Sequence, residues 1–144
     1  MSGKIVVGYD DSDAARRALE FAVERAKAEG CGLVVAHVLE WSAYSFLTPE
    51  EIEERHKRRT LELERAEAAV LGPVMKGLEG SGLSIETVLK FGHIADTLCK
   101  IAKDVGAVQI VVARTGESGL ATRLFGSVAG SLIQGSPVPV TIVP

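Results

Sequence analysis

The chain has 144 residues, 47% of them hydrophobic and 24% charged, with a formal net charge of −3 at pH 7. That is the balance of a globular domain long enough to bury a proper core. A mildly acidic chain lacks the concentrated basic surface that non-specific nucleic-acid binding needs, and 5% aromatic residues make no base-stacking platform. No apolar run approaches the roughly 18 residues of a membrane span.

Cys31 and Cys99 each lack a second cysteine nearby, so neither a disulfide framework nor a zinc site is suggested. The residues before Ile5 are too few for a signal-peptide core. A cytoplasmic, membrane-free protein of one domain, 1–144, is the expectation.

In chain order, Ile5 to Tyr9 reads as a strand buried on both faces. Ser12 is suited to cap a helix whose apolar face carries Ala15, Ala18, Leu19, Ala22, Val23 and Ala26, and Gly30 is placed to end it. Leu33 to Leu39 predicts a second strand, and Trp41 to Leu47 a loop. Thr48-Pro49-Glu50-Glu51 combines an N-cap, a first-turn proline and a capping-box glutamate. The helix opening there is charged at first (EERHKRR, a solvated face or, as the alternative, a partner-docking surface) and gains an apolar stripe only at Leu63, Ala66 and Val70. Gly72-Pro73 should kink or interrupt it.

Leu83 to Leu89 predicts a third strand, and Ile94, Leu98, Ile101, Ala102 and Val105 mark a third helix, with Cys99 packing near its stripe. Val108 to Ala113 is the fourth strand. Leu124, Phe125, Val128, Ala129, Leu132 and Ile133 form the stripe of a last helix, and Val138 to Val143 is a fifth strand.

Strict β-α alternation implies a doubly wound α/β domain: a five-stranded parallel sheet with helices on both faces. In the order 3-2-1-4-5 the chain reverses direction between strands 1 and 4, and ligands in such sheets sit at that switch point. Tyr9-Asp10-Asp11-Ser12 and Thr115-Gly116-Glu117-Ser118-Gly119 would converge there. The stretch RTGESGLATRLFGSVAGS, from Arg114 to Ser131, follows a strand and leads into a helix. Glycines that admit backbone N–H groups, next to a helix N-terminus, are a means of holding phosphate. The alternative for Gly116, Gly119 and Gly126 is tight turns, and for Asp10 and Ser127 helix capping.

The opening IVVGYDDSDAARRALEFA, the pair His37-Val38, and GESG…GS followed by PVPVTIV resemble the universal stress protein family over essentially the whole chain. The resemblance implies ATP as ligand. Phosphates would lie against Gly116, Gly119 and Gly126, with Ser127 donating and Thr115 beside the loop. Asp10 would accept from the ribose, Val38 would line the adenine slot, and Gly8, Tyr9 and Val128 would form walls. Mg²⁺ could share Asp10 or Asp11 with the phosphates.

This chain departs from the family pattern in a short spacer, Leu120 to Phe125, in Glu117 within the anion loop, and in Asp11 where glycine is more usual. The resemblance also implies a homodimer through Val138 to Val143, an otherwise bare sheet edge, and an as yet unidentified protein partner. A family member that acts through protein contacts without nucleotide is the second reading.

Ser-His-Asp sets, paired carboxylates and a Walker lysine are not visible, so the expected role is binding, with at most slow ATP hydrolysis. His37, His56 and His93 share no ligand spacing, and His37 reads as a core or pocket-edge residue.

Overall fold

The computed structural model describes residues 3–40, 48–114 and 127–144. Its elements are β1 (Lys4–Gly8), α1 (Asp13–Glu29), β2 (Gly32–Leu39), α2 (Pro49–Ala66), a π turn (Glu67–Leu71), α3 (Gly72–Gly77), β3 (Ile85–Phe91), α4 (Ile94–Val105), β4 (Ala107–Ala113), α5 (Ser127–Gly135) and β5 (Val140–Val143). The five strands form one sheet in the order β3-β2-β1-β4-β5, as expected. Every pairing is parallel, with Val6 of β1 opposite Val34 of β2 on one side and Ile110 of β4 on the other.

Strand alternation divides the core in two. On one face Ile5, Val7, Leu33, Val35 and Val111 pack with the alanine-rich side of α1, with Leu71 and with Val74. On the other, Val6, Val34, Ala36, Val38, Ile110 and Val112 pack with Leu98, Ile101 and Ala102 of α4 and with Ala129 and Leu132 of α5. Small residues on α1 let that helix lie close to the sheet. Ser12 caps it, its Oγ accepting from the Ala15 N–H at 3.0 Å, and Gly30 ends it in the left-handed conformation at φ 65°. Thr48 caps α2 in the same way, through the Glu51 N–H at 3.2 Å.

The structure corrects several sequence expectations. β1 stops at Gly8, so Tyr9 already belongs to the turn. β3 runs two residues later than Leu83 to Leu89, because the Leu83 N–H is taken by Ser81 Oγ and pairing continues to Leu39 opposite Phe91. β5 holds four residues rather than six: Val138 is turned by Ser136, whose Oγ donates to the Val138 carbonyl and accepts its N–H.

Ile133 is 58% exposed, so it lies off the buried side of α5. The interruption expected at Gly72-Pro73 takes the form of the π turn just before it, where the Gly72 N–H reaches back to the Glu67 carbonyl. Proline lacks an N–H and its ring crowds the carbonyl four residues earlier, which the widened turn relieves. The loop expected at Trp41 to Leu47 and the stripe residues Leu124 and Phe125 lie outside the described residues.

Candidate functional site

β1, β2 and β4 all point their C-terminal ends toward one cleft, at the place where the strand order reverses. It has a volume of about 660 Å³, within the roughly 300–1,000 Å³ of small-molecule sites. Gly8, Tyr9 and Asp10 come from the end of β1, Val38 from β2, and Ser127 and Val128 from the start of the described part of α5. These six expected residues therefore meet in space, although more than a hundred positions separate the first from the last. Thr115, Gly116, Gly119 and Gly126 lie outside the described residues, as do Glu117 and the spacer.

Gly8 sits on the floor. A Cβ there would lie 3.1 Å from Leu98 and 3.2 Å from Val112, so the glycine lets α4 close against the sheet as well as lining the cleft. The wall is largely apolar: Ala36, Ile94, Leu98, Val112 and Ala129 all contribute. Sequence reasoning assigned these residues to the core and missed their second role. The signal was present in Ile94 and Leu98, which lie one turn apart on α4 and end at the open side of the sheet. Glu40 was missed too, and it lines the cleft together with Arg114, the basic residue at the start of the expected anion loop.

The turn after β1 is held by its own side chains. Asp10 Oδ1 accepts from the Ser12 N–H at 3.1 Å and from Ser12 Oγ at 2.5 Å, an Asx turn feeding the helix cap. Capping support is thus part of what Asp10 does. Asp11 adopts φ 63°, a left-handed conformation that explains the strain cost of a side chain here and the usefulness of glycine. Its carboxylate accepts from Arg16 at 2.9 Å and from the Tyr9 hydroxyl at 3.2 Å. Burial, and next the Asp11 charge, push the Tyr9 hydroxyl above the usual phenol range. The hydrogen bond that Arg16 donates to the Asp11 carboxylate raises its already high pKa.

His37 is 8% exposed, and its Nδ1 lies 2.6 Å from the Tyr9 carbonyl oxygen. The Cys99 thiol, half-buried on α4 and outside the cleft lining, is raised by burial and then by Asp96. EERHKRR is mostly solvated as expected, with Arg59 turned inward over the Phe91 ring at 5.3 Å. Among the described residues no three His, Cys, Asp or Glu side chains gather as a metal cluster, and no helix is long and apolar enough to cross a membrane.

The family model for the universal stress protein family matches residues 1–144. Universal stress protein YxiE of Bacillus subtilis (strain 168) is 31% identical over 150 residues, covering 99% of each chain. The chain belongs to the universal stress protein family. UspA from Lactobacillus plantarum shares the fold at a TM-score of 0.83, with 24% identity over 99% of this chain and 97% of that one. A universal stress protein in complex with cAMP superposes at 0.64 with 26% identity, covering 99% and 97%. One from Archaeoglobus fulgidus in complex with dAMP superposes at 0.61 with 25% identity, covering 99% and 98%.

Proposed function

We propose that this protein binds an adenine nucleotide, ATP, in the cleft beyond β1, β2 and β4 and acts as a dimeric, cytoplasmic stress-response regulator. The observation that carries the reading is the convergence of Gly8, Tyr9, Asp10, Val38, Ser127 and Val128 on one cleft of suitable volume at the switch point. The cAMP and dAMP complexes of similar proteins support an adenine nucleotide as the ligand class.

In this reading Val38 lies against the base and Asp10 accepts from the ribose. The phosphates run toward Ser127 and the glycines Gly116, Gly119 and Gly126. Mg²⁺, if it accompanies ATP, shares the phosphates with Asp10 or Asp11. β5 has a neighbour on one side only among the described strands, which supports pairing of Val140–Val143 with its copy in a second chain. Nucleotide acts by binding one loop or dimer state better than another, and the unidentified partner reads the difference.

Calorimetric titration with ATP and Mg²⁺ tests the reading, and saturable binding at micromolar concentrations or tighter is expected. Ser127→Asp sets a carboxylate at an exposed position on the phosphate side without disturbing the core. It should weaken ATP at least about tenfold and leave adenosine nearly unchanged. A second reading, a family member acting through protein contacts without nucleotide, is favoured by the charges present: Asp10 and Glu40 line the described cleft against Arg114. Absence of both heat and any ATP-dependent rise in Tm would decide for it.

A further inference from the structure

We propose that His37 is a positioning residue for the ligand loop: its Nδ1–H donates to the Tyr9 carbonyl and fixes the turn that presents Asp10. The bond spans 2.6 Å between groups 28 residues apart, and the histidine is the buried polar side chain of the described core.

The reason lies in how β1 ends. The Tyr9 N–H still donates to the Ala36 carbonyl at 2.8 Å, as a further rung of the ladder would. Its carbonyl instead faces the imidazole of the next residue on β2, His37. A side chain therefore takes over where strand pairing stops, and it does so at the last residue before Asp10. Alternation along β2 sets His37 with Leu33 and Val35, on the face opposite Ala36 and Val38. His37 is itself among the residues lining the cleft, so the ring holds the turn at the rim of the proposed site, beside Val38.

Beyond Tyr9, short-range bonds shape the turn: Asp10 to Ser12, Ser12 to Ala15, Asp11 to Arg16. Those contacts shape the turn without fixing where it stands relative to β2, which carries Val38. Beside the Tyr9 N–H bond to Ala36, the His37 bond adds a side-chain link at the Tyr9 carbonyl, next to Val38. The distance between the two halves of the proposed ligand contact, Asp10 and Val38, is then set by the Tyr9 N–H bond to Ala36 together with the imidazole on the Tyr9 carbonyl. A carbonyl partner on Nδ1 also fixes the tautomer, leaving Nε2 as the acceptor.

Nitrogen-15 NMR of the imidazole, in the intact protein at pH 8, gives the first test. Protonated Nδ1 is expected, and protonated Nε2 would overturn the assignment. The second uses His37→Leu, which deletes the donor, and His37→Asn, whose amide nitrogen can replace Nδ1. Leu should speed exchange of the Ser12 and Ala15 amides and weaken ATP binding roughly tenfold, and Asn should restore both within about threefold. Equal loss in Leu and Asn, or unchanged amide exchange in Leu, would reduce His37 to a packing residue. The affinity arm rests on the proposed nucleotide function; the tautomer and exchange arms do not, so failure of wild-type protein to bind ATP would count against that function and leave this test standing.

Discussion

Asp11 shows how a single backbone angle and a handful of polar atoms compete. At φ 63° a β-branched residue is strained, whereas Asp is among the side chains that tolerate the left-handed region. The Arg16 contact is solvent-exposed and contributes little. Asp11→Val should therefore cost about 1–2 kcal/mol, while Asp11→Gly stays within about 0.5 kcal/mol of wild type, both read from urea unfolding.

Tyr9 makes a pH prediction. Its pKa is higher folded than unfolded, so the folded state holds the phenolic proton more tightly. That stabilisation is complete below the unfolded value and is lost as pH rises through the folded one, above about pH 10. Tyr9→Phe should flatten the alkaline fall in urea midpoint; an identical slope in the variant would locate the sensitivity elsewhere. Much at this scale was legible in sequence. Ser12 as a cap and Gly30 as a helix end follow from local chemistry, but the left-handed angle at Asp11 and the His37 bond depend on where β2 stands beside the turn, which no local pattern encodes.

Among the elements, α2 is the least anchored. Ala66 is its one buried residue, while Ile52 and Leu61 are 56% and 51% exposed. The π turn that follows carries Leu71 wholly inside the core beneath α1. Leu71→Ala should cost about 2–5 kcal/mol through lost burial and a cavity, and Leu61→Ala less than about 0.5 kcal/mol. Paired urea titrations decide it, and comparable losses would mean that α2 is held along its length.

Helix and strand identities followed from periodicity because the apolar stripes are clean. Boundaries failed where a hydroxyl intervened: Ser81 delays β3 and Ser136 shortens β5 by capturing a backbone N–H. Such captures leave the hydrophobic pattern untouched, which is why Leu83 and Val138 look like strand residues.

Seen whole, the molecule places its first strand in the middle. The order β3-β2-β1-β4-β5 was legible because parallel crossovers admit few arrangements. The cleft position came with it, since the reversal of strand order opens a crevice. What the chain pattern hid was the cleft's apolar wall, where one set of side chains serves as core and lining together. The central placement of β1 also carries a cost in time. β1 meets β2 as soon as residue 36 exists, but its other partner, β4, starts only at Ala107. A ribosome making this protein therefore releases Ile5, Val6 and Val7 with one hydrogen-bonding edge uncovered for most of synthesis, a window in which chains on neighbouring ribosomes can pair wrongly.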